Sequence, residues 1–134
     1  MLSNKAKYAL RALGYLAGKY PGGPVQIAEI AEQQKIPLKF LETILLELRK
    51  ADILLSKKGK GGGYTLERDP KQISVASVIR AIDGPISMLP CVSLYFYKKC
   101  DDCDETHCSL NRVFTDVRDA TIKVLEKKTV RDLI

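Results

Sequence analysis

The stretch IAEIAEQQKIPLKFLETILLELRKADILLSKKGKGGGYTL, residues 27–66, decides the fold of this 134-residue chain. Its first part has apolar side chains at helical spacing and predicts a short helix, which ends before Pro37. A second helix follows almost at once, because its apolar residues occupy the i, i+3, i+4 and i+7 positions of one face: Leu41, Ile44, Leu45 and Leu48. Two short helices joined by a few residues, the second with a polar outer face, indicate a helix-turn-helix.

The rest of this stretch predicts a β-hairpin with a basic, flexible tip. An apolar run that begins at Ile53 leads into a tip containing Lys58, Gly59 and Lys60, and residues 64–66 form the returning strand. A helix-turn-helix followed directly by a basic hairpin is the order of a winged helix, in which the hairpin lysines can reach the DNA backbone or a minor groove while the preceding helix lies in the major groove. The glycines do not match a nucleotide-binding loop, because they lead into a strand and not into a helix N-terminus.

The excess positive charge of the chain lies in its N-terminal half. Residues 1–63 contain 11 Lys or Arg and 5 Asp or Glu, which gives +6, whereas residues 64–134 contain 11 of each and are neutral. Such asymmetry is what a phosphate-binding surface produces, and a solvated basic face is the alternative that charge alone leaves open. With 46% hydrophobic and 28% charged residues, the composition is typical of a folded globular protein.

Apolar periodicity predicts three further helices around the helix-turn-helix and hairpin. One runs from Ser3 to Tyr20 and buries one face, and another is capped by Ser74 and ends at Gly84. The last is a long amphipathic helix that begins at Ser109 and is followed by a terminal turn. Its apolar stripe consists of Leu110, Val113, Phe114, Val117, Ala120, Thr121, Val124 and Leu125.

We interpret this long helix as a dimerisation helix, because so small a domain has little surface left for the stripe to cover. Packing back on the N-terminal helix is the alternative. The predicted fold class is mostly α: a single-domain winged helix-turn-helix with a short β-hairpin wing and a long C-terminal dimerisation helix. In this division residues 1–67 form the DNA-binding part, 74–84 a linking helix, 86–108 a cysteine loop, and 109–134 the dimerisation helix and terminal turn.

Charged residues interrupt the apolar N-terminus, so the sequence contains neither the pattern of a signal peptide nor that of a membrane span. We therefore expect a cytoplasmic protein without a membrane partner, in a compartment where thiols stay reduced.

All four cysteines lie within one short segment, at Cys91, Cys100, Cys103 and Cys108. In a reducing compartment, metal binding or redox sensing fits such a cluster better than a disulfide framework does. Thiolates are the ligands of iron-sulfur clusters and of structural zinc, and a C-x2-C pair followed by another cysteine can converge in a loop. Zinc is an alternative, although only one such pair is present, and a metal-free thiol sensor is another. We expect no enzyme, because no βαβ unit accompanies the CDDC motif.

Several segments in order resemble the Rrf2 (Rrf-two) family of winged helix-turn-helix transcriptional regulators, which includes iron-sulfur cluster regulators. KAKYALRALGYLA is similar to the family's opening helix, IAEIAEQQKIPLKFLETILLELRKADIL to its helix-turn-helix, KKGKGGGYTL to its wing, and SVASVIRAIDGPI to the helix that follows. The resemblance implies a homodimer that binds a double-stranded DNA operator and senses cluster status or redox or nitrosative stress. It matches Lys39, Phe40 and Glu42 to the recognition helix, with core packing the alternative for Phe40, and it matches Lys58 and Gly59 to the wing.

The resemblance also implies that cysteines and a further ligand hold an iron-sulfur cluster. This chain offers both Cys100 and Cys103 for the family's one middle cysteine, and it has Asn111 where some members have a ligating histidine. An aspartate ligand of other members corresponds to Lys7, which cannot bind iron while it is protonated. The ligand set is therefore left open between the four cysteines alone and a set completed by His107 or Asp104. The spacing does not separate a two-iron from a four-iron cluster.

Overall fold

The computed structural model describes residues 2–101 and 108–134, and this part of the chain is mostly helical with one two-stranded sheet. In chain order the helices and strands are α1 (Asn4–Lys19), α2 (Ile27–Gln34), α3 (Leu38–Lys50), β1 (Leu54–Lys57), β2 (Gly63–Leu66), α4 (Val75–Ile82) and α5 (Ser109–Lys127). Short 3-10 turns lie at Pro70–Gln72, Pro90–Val92 and Val130–Leu133. Within the described ranges, no helix is long and apolar enough to span a bilayer. The predicted mostly α fold with a short hairpin is confirmed.

Serine side chains cap two of the helices. The Oγ atom of Ser3 accepts the N–H of Ala6 at 3.0 Å, and that of Ser74 accepts the N–H of Ser77 at 3.1 Å. Each bond satisfies an amide that would otherwise lack a partner in the first turn of its helix. Asp83, which follows α4, accepts the backbone N–H of Ser3 at 3.1 Å. The beginning of α1 and the end of α4 are therefore joined.

The core lies where α1, α3 and α4 meet and is built from side chains that the helical periodicity selected. On α3 the four predicted core residues, Leu41, Ile44, Leu45 and Leu48, are completely buried. They pack with buried residues of the other elements: Leu13, Leu16, Ile30, Leu54, Leu66, Ile73, Val78 and Val130. Because this face of α3 is fixed by burial, its polar face must point to solvent.

The hairpin is attached to the segment that precedes α2. Its two strands are antiparallel, and Leu54 is paired with Leu66. Val25 and Tyr64 exchange two backbone hydrogen bonds of 2.9 Å. The chain before α2 therefore pairs with β2 through an isolated antiparallel bridge. Gly63 has a φ of 146°, and a Cβ atom there would lie 2.3 Å from the carbonyl oxygen of Val25. Only glycine fits at this close approach.

The terminal turn returns the end of the chain to α1. Thr129 and Asp132 form a capping box at the beginning of this turn. The N–H of Val75 donates to Lys128 O at 2.8 Å, and the N–H of Val130 donates to Ile73 O at 2.9 Å. Val130 is completely buried in the core. These bonds join the end of α5 to the beginning of α4.

A pair of neighbouring leucines on α3 tests this core. Leu45→Ala should lower the free energy of unfolding by about 2–5 kcal/mol, because it opens a cavity among buried side chains. Leu46, which is 39% exposed, is the matched control, and its replacement with alanine should change stability by less than about 1 kcal/mol. Urea unfolding followed by circular dichroism measures both. Equal losses of stability for the two variants would contradict the orientation of α3.

Candidate nucleic-acid interface and cysteine site

The first turn of α3 presents polar side chains to solvent. Lys39 and Glu42 are both exposed, and they lie three residues apart on the helix. The N-terminal residues of a recognition helix are those that usually contact base edges in the major groove. The structure therefore leaves Lys39 and Glu42 accessible at the position that this mode of binding uses.

Phe40, the third predicted residue of the recognition helix, is half-buried and packs against the core. Its ring lies edge-to-face on the ring of Tyr8 in α1, with centroids 5.6 Å apart and planes at 83°. Such aromatic pairs stabilise packing beyond the area that they bury. Phe40 thus holds the beginning of α3 on α1, and its contact with DNA stays a prediction.

Polar contacts also hold α1 to the helix-turn-helix. Lys5 Nζ lies 2.6 Å from Glu47 Oε1 on α3, and Arg11 donates to the carbonyl oxygen of Gln34, the last residue of α2. The hydroxyl of Tyr15 donates to Glu29 Oε2 at 2.5 Å. This hydrogen bond raises the pKa of Tyr15 above its ordinary value. Helices α2 and α3 are therefore oriented by α1 as well as by the core.

The tip of the hairpin carries the predicted wing residues Lys58, Gly59 and Lys60, and all three are exposed. Gly59 and Gly61 have φ angles of 89° and 76°, which other residues seldom adopt. A Cβ atom at either glycine would meet open space, so the two residues provide backbone conformation and not close packing. The tip presents cationic side chains on a tight backbone turn, an arrangement that suits phosphate contacts.

Two of the four cysteines lie against the beginning of α5. Cys91 is in the 3-10 turn Pro90–Val92, here called the Cys91 turn, and is 7% exposed. Cys108 is the N-cap residue of α5 and is half-buried. Asn111, one helical turn after Cys108, donates its Nδ2–H to Cys91 Sγ at 3.6 Å. This contact brings the Cys91 thiol to the first turn of the helix that Cys108 caps.

The remaining candidate ligands are not assembled in the described part of the chain. Cys100 is exposed, whereas Cys103, Asp104 and His107 lie outside the described residues. Among residues 2–101 and 108–134, no group of three or more His, Cys, Asp or Glu side chains is placed to hold a metal ion. The donor chemistry of Cys91 and Cys108 fits a thiolate-ligated cluster or zinc, and both are free thiols.

Helix α5 has two adjacent faces with different surroundings. Its inner face contacts α4 and the Cys91 turn and includes Asn111, Phe114, Arg118, Ile122 and Leu125. Its outer face carries large exposed apolar residues, here called the exposed stripe: Leu110, Val113, Val117 and Val124. The prediction of a single stripe was wrong in this respect, because it placed Phe114 and Leu125 together with the exposed residues. It also omitted Ile122, which is the buried residue of α5.

Two residues that contact the Cys91 turn were not predicted as site residues. The sequence presents Asn111 only as the replacement of a family histidine, and Arg118 only as a polar residue of α5. In the structure Arg118 donates its Nη1–H to the carbonyl oxygen of Val92 at 2.7 Å. The spacing of seven residues, which places both on one helix face, is the signal that could have paired them.

Comparison with known proteins identifies the family. The sequence model of the Rrf2 family, described as "Iron-dependent Transcriptional regulator", matches residues 2–134. The chain is 41% identical over 138 residues to an Rrf2-like HTH-type transcriptional regulator of Rhodobacter capsulatus, an alignment that covers 100% of this chain and 92% of the relative.

Two solved structures support the same assignment. CymR, the global cysteine regulator of B. subtilis, superimposes with a TM-score of 0.80 at 29% identity, over 99% of this chain and 95% of CymR. T. potens IscR superimposes with a TM-score of 0.76 at 30% identity, over 99% of this chain and 85% of IscR. The winged helix-turn-helix fold is thereby confirmed, and so is the expectation that the protein is not an enzyme. The chain belongs to the Rrf2 family of DNA-binding transcriptional regulators.

Proposed function

We propose that this chain is a dimeric DNA-binding regulator that senses iron-sulfur cluster status, or redox or nitrosative stress, through a cluster bound by its cysteines. The observation that carries the proposal is the position of the Cys91 thiol, which is buried against α5 one helical turn from Cys108. A thiol group enclosed by a turn and a helix is held in place before any metal binds. The Cys91 turn and the N-cap of α5 thus each offer a sulfur ligand beside the first turn of α5.

For DNA we propose that α3 enters the major groove and that the wing contacts the backbone. The ionised carboxylate of Glu42 only accepts hydrogen bonds, so it can accept one from the exocyclic amino group of a cytosine. Lys39, Lys58 and Lys60 supply phosphate contacts that do not depend on sequence. The concentration of the net charge of +6 in residues 1–63 supports this arrangement.

For the cluster we propose Cys91, Cys108 and at least one of Cys100 and Cys103 as ligands. When bound, an iron-sulfur cluster would supply a redox-active and nitric-oxide-reactive centre held by cysteine thiolates. The description of the family as iron-dependent supports this assignment. The Asn111 amide donates a hydrogen bond to the sulfur of Cys91, so this thiol has a polar contact although its turn is largely buried.

Two alternatives keep the DNA-binding role and change the chemistry of the cysteines. One is a structural zinc site, and the other is a thiol sensor without metal. The similarity to CymR of Staphylococcus aureus, whose structure is known in an oxidized form, favours considering the second. Both alternatives predict colourless protein.

We further propose that the exposed stripe of α5 forms the dimer interface. Leu110, Val113 and Val124 are each more than half exposed, which is unusual for large apolar side chains spaced along one helix. Beside the stripe, an open groove of about 550 Å³ is lined in part by Met88, Val117 and Leu125. A second copy of the chain would cover both surfaces through its own α5, as the two-fold symmetry of a homodimer requires.

The wing assignment predicts a change in salt dependence. Replacing Lys58 and Lys60 together with alanine should weaken binding similarly for all duplexes, and it should reduce the slope of log affinity against log salt by about one for each phosphate that the wing no longer neutralises. The matched control replaces Lys123 and Lys127 of α5 with alanine and should leave the slope unchanged. Fluorescence anisotropy at several salt concentrations measures both, and an unchanged slope for the wing variant would refute the assignment.

Glu42→Ala should relax sequence discrimination. Loss of the Glu42 carboxylate should remove about 1–3 kcal/mol of the binding preference for one base over the others at a single position. The affinity for nonspecific duplex should stay the same or rise, because a negative charge is absent. The measurement compares a duplex selected from a random library with its single-base variants. Glu32→Ala, which removes an exposed carboxylate of α2, is the control. A uniform loss of affinity across all duplexes would assign Glu42 a structural role instead.

Single Cys→Ser variants test the cluster. Anaerobically purified protein should be brown, and Cys91→Ser and Cys108→Ser should each abolish or destabilise its visible absorption, because each removes a required thiolate. Cys100→Ser and Cys103→Ser should either both do so or, if the two thiols substitute for one another, both leave the colour. Iron, sulfide and zinc analyses accompany the spectra. Colourless wild-type protein with stoichiometric zinc, or without metal, would support the alternatives.

Val117→Asp tests the interface by placing an unpaired carboxylate in the centre of the proposed seam at two symmetric positions. The expected penalty of several kcal/mol should make the protein monomeric at micromolar concentration. Lys123→Asp introduces the same group on an exposed position outside the stripe and should leave the dimer intact. Light scattering measures the molar mass of both variants and so shows whether each is a monomer or a dimer. A folded, dimeric Val117→Asp protein would mean that the interface lies elsewhere.

A further inference from the structure

The Cys91 turn is a buried feature between exposed segments. Cys91, Val92 and Ser93 are each 7% exposed or less, whereas residues 94–100 are all exposed. Within the turn the N–H of Ser93 donates to Pro90 O at 3.2 Å, and Lys98 donates its N–H to the same oxygen at 3.1 Å. These bonds close the turn locally. They do not explain why it is buried.

Two side chains of α5 hold the turn from outside. Asn111 contacts the Cys91 sulfur at 3.6 Å, and Arg118 donates to the neighbouring carbonyl oxygen of Val92 at 2.7 Å. Seven residues separate them, which is two helical turns and about 10 Å along the axis, so both lie on one face of α5. The turn is therefore fixed at two points, and it cannot shift along the helix without breaking one of these hydrogen bonds.

The chemistry of the two contacts makes them persistent. The Arg118 guanidinium offers several N–H donors in a planar fork, and the side chain is only 16% exposed. Asp119 accepts from Arg118 Nε at 2.9 Å and lies 2.8 Å from Nη2, which orients the guanidinium toward the turn. The Asn111 amide is uncharged and does not titrate. It can donate to the sulfur of Cys91 whether that sulfur is a thiol or a metal-bound thiolate.

The same helix carries the exposed stripe on its adjacent face. Arg118 directly follows Val117, which belongs to that stripe. A displacement of the Cys91 turn that keeps the two hydrogen bonds must therefore move or rotate α5, and with it the surface proposed to meet the second copy.

We infer that Asn111 and Arg118 are positioning residues that fix the Cys91 turn on α5 and couple a change at the cysteine site to that helix. The inference rests on the proposed function for what changes at the cysteines. The placement of the two side chains is independent of it.

The first test uses the apo protein and needs no metal. In Asn111→Ala and Arg118→Ala the peptide that contains residues 90–98 should exchange its amide hydrogens several-fold faster than in the wild type, because one of the hydrogen bonds that hold the turn on α5 is absent. Arg112→Ala removes the same charge from an exposed position on α5 and is the matched control. Exchange in Arg118→Ala no faster than in the control would overturn the inference.

The second test measures coupling. Protein reconstituted anaerobically with iron and sulfide, and the same protein without them, are titrated with a duplex selected from a random library. The ratio of the two affinities should fall by roughly tenfold in Arg118→Ala, as expected for losing a charged hydrogen bond, while the cluster absorption is retained. Arg118→Lys should keep part of the ratio, and Arg112→Ala all of it.

The outcomes separate this inference from the proposed function. A wild-type ratio of one would refute cluster sensing and remove the basis for coupling. A large ratio that is unchanged in Arg118→Ala would leave cluster sensing standing and refute the role of Arg118.

Discussion

The apolar side chains on the inner face of α3 constrain the arrangement of the whole N-terminal half. Leu41, Ile44, Leu45 and Leu48 are completely buried, and a helix with a fully buried stripe has no rotational freedom. The side chains of Lys39 and Glu42 must then face solvent. The hairpin follows α3 closely and begins with Leu54, which is buried in the same core, so the basic tip projects from a fixed base. Burial of apolar surface thus positions Lys39, Glu42 and the lysines of the hairpin tip, although the side chains of these four residues are themselves exposed.

Helix α5 contacts the body of the protein with one face and leaves the adjacent face exposed. Its inner face is held by Ile122 in the body of the protein and by two polar contacts to the Cys91 turn. Its outer face leaves Val113 and Val124 more than half exposed. The end of α5 is bonded through Lys128 to the beginning of α4, and the end of α4 is bonded through Asp83 to the beginning of α1. A continuous set of contacts therefore runs from the cysteine turn to the helix on which the helix-turn-helix packs. These contacts form a physical route by which a change at the Cys91 turn can reach α1 and the helix-turn-helix. Measured coupling energies are the evidence that establishes such a route.

Much of the fold could be predicted from the sequence, because helical and strand periods act over short distances along the chain. The buried face of α3, the Ser74 cap, the hairpin and the beginning of α5 all follow from spacing between near neighbours. Contacts between distant residues have no such signature. The pairing of Phe40 with Tyr8, and those of Asn111 and Arg118 with the Cys91 turn, depend on how the elements pack. The stripe on α5 was predicted as one surface because a single helical period cannot separate a face turned to the body of the protein from one that the chain leaves exposed. The positions of Cys103 and His107 lie outside the described residues, so the ligand set stays a prediction.

The central claim is that the state of the cysteine site sets the relative position of the two DNA-binding units in a dimer. The most direct measurement is the distance between the two copies of Lys50, the exposed last residue of α3, each replaced by a noncanonical residue that carries a spin label without cysteine chemistry. Electron-electron double resonance would record this distance with and without the cluster. We predict that the distance differs by several Å between the two states, with one state compatible with half-sites one helical turn of DNA, about 34 Å, apart. Identical distance distributions, in samples whose absorption shows that the cluster is present in one and absent in the other, would contradict the account.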